Sequence, residues 1–428
     1  VPLTRKDIEK LPEGFDPGFG VYSPDPGQAS GCNYYRIEVP FRGLLDLGLS
    51  LYFIDNEKRR LSKDDRAAIM LSSDIVLFFA RGGHAADVNL ETIRQMSPGV
   101  MENGEIGYPP SVVFDIDDNL DWVHPFNHRF SVLGTRAYDG TLLKPGDSLT
   151  TTFPDGSEIV VWKDQETVID GDRFVVQDNL DRIAAIHRTA QNCEGVSVPN
   201  EELARYYRNV HQCDNVYIFP NSMIPEDWPQ VELKPRTGGS IRILWQGGGS
   251  HMVDWFPLRD AVRTICEKYP QVKFVIWGSA FRWVHDNIPE AQLELHDWVD
   301  YLAYRPHRVL MDADINLCPL VDNVFNRGKS AIKWYEGAIL KKPEPCLAGA
   351  CPPYSNEIVD GETGLLYKTP QEFVEKLSLL IESAELRRKI GEAGKMWVLQ
   401  NRHFHQTVPG LFEFYQEIRA RKEMALSA

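Results

Sequence analysis

From about residue 74 to residue 349 the chain alternates short apolar runs with segments of helical period, and this alternation limits the fold more tightly than any other feature. DIVLFFA (74–80), SVVFDI (111–116), GVSV (195–198) and NVYIFPN (215–221) have strand length. Helical patterns such as DVNLETIRQM and NEELARYYRNV lie between some of them. A second series follows: IRILWQG (241–247), the helical FPLRDAVRTICEKYP (256–270), VKFVIWG (272–278), DINLCPL (314–320) and PEPCLAG (343–349). That order of elements implies α/β domains with parallel sheets. The two series are separated by SMIPEDWPQVELKPRTGGS (222–240), which is Pro-rich and aperiodic, as a linker is.

Residues 138–178 break the pattern. They show period-two alternation and the turn pairs Asp155-Gly156 and Asp170-Gly171, which predict a β-hairpin or meander inserted in the first domain. A stretch of this length in a compact domain has a function or is a surface decoration, and the residues alone do not choose between them.

With 428 residues the chain has material for two or three domains. Its net charge of −15 argues against a general binder of nucleic acid or anionic membranes, because phosphate contacts need clustered Lys and Arg. No apolar run reaches bilayer length, and the first fifteen residues lack a signal-peptide core. Seven cysteines without metal-ligand spacing read as reduced thiols, so a cytoplasmic location is expected. Self-association is left open.

Three segments carry chemistry. NVFNRGKSAIKWYEGAIL (323–340) spaces Asn326, Lys329, Lys333 and Glu336 by three, four and three, which places them on one face if the segment is a single helix. The turn through Lys329 and Ser330, with amides and a cation, suits a diphosphate, and Glu336 suits a ribose diol. A solvated helix face would show the same spacing. LWQGGGSHMVDW (244–255) runs from a strand into Gly247, Gly248 and Gly249, then Ser250 and His251; glycines at a strand end let backbone approach a ligand, although a tight turn needs them equally. VVFDIDDNLDWVHP (112–125) gathers Asp115, Asp117, Asp118 and Asp121 at a strand end, with Trp122 as a sugar-stacking surface and His124 as a titratable group. Those carboxylates would serve as metal ligands, as a base or as sugar ligands, or simply as a strand end and helix cap.

Taken in order, these segments resemble the family 4 ("group 1") retaining glycosyltransferases of GT-B type. CNYYRIEVPFRGLLDLG (32–48) is similar to that family's first loop and helix. IVLFFAR followed by VVFDIDDNL is similar to a clade with Arg at one strand end and Asp-Asp at the next. The most specific block is KSAIKWYEGAILKKPEPCLAGACPPYSNEIVDGETGLLY (329–367). The resemblance implies two Rossmann-like domains facing across a cleft, residues 1–221 on the acceptor side and 241–404 on the donor side. It also implies that a final helix (405–428) packs back on the first domain. It implies a nucleotide-sugar donor, UDP or GDP, no cofactor and no metal. Asp117, Asp118, Arg81 and Lys329 would act at the reacting centre. Gly248, Gly249, Ser250, His251, Asn326, Lys329, Ser330, Lys333 and Glu336 would hold the donor, and Arg36, Trp122 and His124 the acceptor. The acceptor class, from small molecule or glycan to lipid, protein or modified nucleic acid, is not implied. Two departures stand out. The first of two glutamates usual eight positions apart falls on Gly328, and the Arg and Lys usual after the first strand of the second domain are replaced by Ser250, His251 and Asp254. The competing readings are a metal-dependent transferase built on the DIDD cluster and a non-catalytic relative.

Overall fold

The structure is a computed structural model that describes residues 19–23, 31–53, 73–79, 90–91, 93–95, 99–100, 106–152, 159–234, 236 and 238–428. These residues form two compact units, one of residues up to Asp118 with Asp181–Met223 and Phe404–Ala428, the other of Asn119–Leu180 with Ile224–His403.

In the first unit, strands β1 (Gly20–Ser23), β2 (Ser50–Phe53), β3 (Ile75–Phe79), β4 (Ser111–Asp115), β5 (Gly195–Val198) and β6 (Val216–Ile218) form a sheet of order β6-β5-β4-β3-β1-β2. All pairings are parallel. β3 and β4 are buried at every residue, which is why they read as unbroken apolar runs rather than as alternating ones. The last helix, Phe404–Ser427, belongs to this unit: Val408 lies against Gly43, where a Cβ would meet it at 2.7 Å, and Phe414 stacks on Tyr217 at 4.9 Å.

In the second unit, β7 (Ile241–Gly247), β8 (Val272–Gly278), β9 (Leu293–His296), β10 (Ile315–Cys318), β11 (Cys346–Gly349) and β12 (Leu365–Tyr367) form a parallel sheet of order β9-β8-β7-β10-β11-β12. Ile243 and Trp245 of β7, with Phe274 and Ile276 of β8, enter one apolar cluster, while Leu244, Val275 and Trp277 enter another on the opposite face. Strand order reverses between β7 and β10, and open α/β sheets bind ligands at the carboxyl ends of the strands at such a point.

The meander lies in the first domain by sequence but groups with the second unit by packing. Strands Ser148–Thr152 and Ile159–Lys163 pair antiparallel, and a shorter ladder joins Val168–Ile169 to Asp172–Arg173. The segment has its own small core of Val123, Phe130, Leu143, Trp162, Phe174 and Val176, into which Phe325 inserts from the main body of the unit. In return Phe126 of the segment enters the large cluster beneath β7 and β8. Each part thus buries an aromatic side chain of the other, and burial of a large aromatic contributes about 1.5–3 kcal/mol. Sequence position carries no trace of that exchange. The sequence-expected helix over DVNLETIRQM lies largely outside the described residues.

Candidate functional site

β7 ends in Gln246 and Gly247, and the chain turns through Gly248 into a 3-10 turn, Gly249–His251, followed by the short helix Met252–Trp255. Glycine is required here by close approach. A Cβ on Gly247 would meet the Trp245 ring at 2.7 Å and the Lys333 Nζ at 3.2 Å, whereas one on Gly248 would meet nothing within 4 Å. Backbone therefore borders open space at the switch point of the sheet.

Residues 323–340 do not form one helix. Val324–Arg327, capped by Asn323, is a single turn that ends at Gly328, and a second helix runs from Ile332 to Ala338. Asn326, Lys329, Lys333 and Glu336 therefore do not share a helical face as their spacing predicts. A helix of seven residues also contributes little as a dipole. Hydrogen bonds to Asp254, His251 and Gln246, not helical periodicity, hold Asn326, Lys333 and Glu336 near the turn.

The chain of contacts starts at Lys333, whose Nζ lies 3.1 Å from Nε2 of His251. Nδ1 of His251 lies 2.8 Å from Oδ2 of Asp254, and Oδ1 of Asp254 accepts from the Val321 N–H at 2.9 Å and the Asn326 amide at 2.6 Å. With the imidazole proton on Nδ1 toward Asp254, Nε2 accepts from the Lys333 ammonium, and every group has a consistent role. Burial pushes His251 down to about 4, and Lys333 adds to the shift. Burial also pushes Lys333 down to about 8; Cys318 and Asp254 oppose that shift and Lys329 adds to it. For Asp254 burial works upward, but its interaction with His251, the Val321 N–H hydrogen bond and His124 together outweigh it, and its pKa stays below the usual range. At neutral pH the network carries an ammonium, a neutral imidazole and a carboxylate.

Glu336 is buried beside it. Its Oε2 accepts from the Gln246 amide at 2.5 Å and the Tyr304 hydroxyl at 2.8 Å. Lys329 lies in the break between the two short helices, its Nζ 4.4 Å from the Phe325 ring centroid, and Ser330 follows it, half-buried. Among the described residues several buried polar atoms around this centre have no hydrogen-bond partner: Oε1 of Gln246, Oδ1 of Asn326, Oδ1 of Asn119 and both ring nitrogens of His124. Each such group costs about 1–3 kcal/mol when left unpaired, so a polar ligand that reached them would be stabilised.

The residues expected to face an acceptor divide between the two units. His124 and Trp122 lie in the second unit. His124 is 6% exposed, meets Phe325 edge-on at 5.9 Å, and is pushed down to about 4 by burial, with Asp254 opposing and Lys329 adding. Trp122 has the Arg136 guanidinium 5.2 Å from its ring, and Gly140 lies close against its edge. Arg36, in the first unit, is 1% exposed. Its guanidinium donates to both carboxylate oxygens of Asp115, to the Phe219 carbonyl and to Asn221. Four of its five N–H groups are engaged within the fold, so it ties strand ends together. Asp117 and Asp118 follow β4, half-buried, and Asp117 adds to the negative field at Arg36. Arg81 lies outside the described residues.

Sequence reasoning did not assign roles to Gln246, Asp254 or Tyr304. The Ser-His-x-x-Asp order of residues 250–254 was a usable signal for Asp254, since i,i+3 residues meet on a helical turn. Tyr304, thirty-two residues before Glu336, had none.

Residues 257–409 match the family described as "Glycosyl transferase-like". A stretch of 138 residues is 33% identical to "Glycosyltransferase 1 domain-containing protein 1" of Xenopus tropicalis, covering 32% of this chain and 38% of that protein's length. Among solved structures, sucrose-phosphate synthase of Thermosynechococcus elongatus superposes with a TM-score of 0.56 at 10% identity over 94% of this chain and 100% of that one. HepE of Anabaena in complex with UDP-glucose gives 0.54 at 10% identity over 92% and 99%. The chain has the GT-B fold.

Proposed function

We propose that this GT-B chain, with its glycosyl transferase-like region at 257–409, is a glycosyltransferase that binds a nucleotide-diphosphate sugar at the carboxyl ends of β7 and β10. The observation that carries the reading is the Lys333–His251–Asp254–Asn326 chain, half-buried at Lys333 and His251 and buried at Asp254 and Asn326, set against an open glycine turn. A buried ammonium is costly unless paired or needed. Here Lys333 makes no direct ion pair among the described residues: it reaches Asp254 through an imidazole and feels Glu336 at longer range, so its Nζ at the turn is placed to meet an anion. HepE, whose solved complex holds UDP-glucose, supports a nucleotide sugar as that anion's source.

In this reading the diphosphate lies along Gly247–Ser250. As the bond from the anomeric carbon to the leaving oxygen breaks, negative charge grows on the β-phosphate. Lys333, Lys329 and the turn amides stabilise it, more strongly than in water because the side chains are fixed and partly desolvated. Glu336, oriented by Gln246 and Tyr304, accepts hydrogen bonds from the ribose. The acceptor hydroxyl attacks on the face the leaving group departs from, with retention, and its proton passes to the leaving phosphate, so no strong protein base is needed. Asp117 and Asp118 keep the acceptor-orienting role suggested by their place after β4.

A melting-temperature screen with UDP-, GDP-, ADP- and TDP-sugars identifies the donor, since saturating ligand stabilises by about 2–4 kcal/mol. Glu336→Ala and Lys329→Ala should then each weaken binding tenfold or more, the cost of about 1.5–3 kcal/mol for a lost charge-assisted hydrogen bond. Parent-like binding by both variants would refute the site. Activity abolished by EDTA and restored by Mn²⁺ or Mg²⁺ would instead favour a metal at the Asp115–Asp118 strand end.

A further inference from the structure

We propose that His128 is a donor-phosphate ligand: its imidazole, carried by the segment Asn119–Leu180, stands beside the glycine turn and supplies a hydrogen-bond donor there. The inference rests on reading that turn as the phosphate site.

Position is the first argument. Nδ1 of His128 lies 3.5 Å from the point where a Cβ on Gly249 would stand. Lys333 Nζ approaches the other end of the same turn, at Gly247, and the space over Gly248 between them is open. A phosphate at the turn amides would therefore have a cation at one end and an imidazole at the other.

Availability is the second. His124 and His251 are buried or nearly so, and His251 is committed to Asp254 and Lys333. His128 is exposed, and its ring makes no hydrogen bond to the described residues. Burial of part of the ring and the neighbouring Arg129 hold its pKa below the ordinary histidine range, with Asp170 opposing, so at neutral pH the ring offers one N–H.

Pre-organisation is the third. The backbone of His128 is pinned on both sides. Phe126 is buried in the main cluster of the unit and Phe130 in the small core of the segment. Between them the Asn127 N–H donates to the His124 carbonyl at 2.9 Å, Oδ1 of Asn127 accepts from the Arg129 N–H at 3.0 Å, and Oγ of Ser131 donates to the His128 carbonyl at 3.1 Å. A residue held this firmly while its side chain meets solvent loses little entropy when it engages a ligand. The meander thus has a role: its core positions the turn that carries His128.

The test is titration calorimetry of the full chain with UDP and GDP, using His128→Ala, His128→Phe, which keeps a ring but no donor, and His128→Gln, which keeps a donor. For whichever diphosphate the parent binds, Ala and Phe should weaken affinity by roughly fivefold to tenfold and Gln by about twofold. The exposed side chain predicts little change in melting temperature without nucleotide. If Ala and Phe bind within about twofold of the parent while Lys329→Ala does not, the role of His128 is refuted and the site stands. If Lys329→Ala and Glu336→Ala also bind as the parent does, or the parent binds neither diphosphate, the reading of the site itself falls.

Discussion

The carboxyl ends of the two parallel sheets solve opposite problems. At the ends of β4, β5 and β6, Asp115 receives the Arg36 guanidinium and the Ser197 hydroxyl, and Arg36 also bonds the Phe219 carbonyl and Asn221. At the ends of β7 and β10, a lysine reaches Asp254 through a neutral imidazole, a glycine turn borders open space, and buried amide oxygens lack partners among the described residues. The first arrangement spends its charges on the fold. The second holds Lys333 without a direct ion pair beside an open turn, where its field is available to a ligand. A buried charge is therefore a pointer to function only after its partners have been accounted for.

The largest effect expected is Arg36→Ala. It leaves Asp115 buried without its counter-charge, which costs about 3–5 kcal/mol, so the melting temperature should drop steeply while nucleotide affinity of the folded protein is unchanged. A small shift in melting temperature with a large loss of transfer would reverse the comparison and return Arg36 to the acceptor.

Phe325→Ala should come next. Phe325 joins the core of the segment 119–180 to the rest of its unit, and deleting a buried phenyl ring costs about 3 kcal/mol or more. Limited proteolysis should then cut within 119–180 first, and if His128 belongs to the phosphate site nucleotide affinity should fall together with protection. Unchanged protection would mean that Phe126 alone anchors the segment.

The smallest effect concerns pH. The unfolded chain holds the Lys333 proton to the ordinary lysine range near 10.4, the folded protein only to about 8. Between those values the unfolded state binds more protons, so this group's contribution to stability rises with pH across that window. Nucleotide binding has the opposite sign, because the ammonium is the form that attracts a diphosphate. UDP or GDP affinity should weaken by roughly threefold to tenfold from pH 7 to pH 9, and Lys333→Met should flatten that dependence. A pH-independent parent would mean that Lys329 and the turn amides carry the binding.

The α/β class and four strands of each sheet were legible in the sequence because buried strands leave nearly continuous apolar runs, as β3, β4, β7 and β8 do; the short strands β1, β2, β9 and β12 were not read. The glycine turn and Lys333 and Glu336 were legible as residue types, since those chemistries are few and they sit next to a strand end. Their arrangement was not. Helical spacing suggested one face, but a break at Gly328 to Ser330 divides the segment, and Asp254, Gln246 and Tyr304 rebuild the site from 254, 246 and 304, positions whose convergence no local pattern encodes. The partner of Arg36 was equally hidden, seventy-nine residues away. The allegiance of residues 119–180 was decided by the exchange of Phe126 for Phe325, a matter of which cores could bury an aromatic ring. Local sequence records what each residue prefers as a neighbour class, apolar or polar, extended or helical; which neighbour it obtains is settled by packing between segments far apart in the chain.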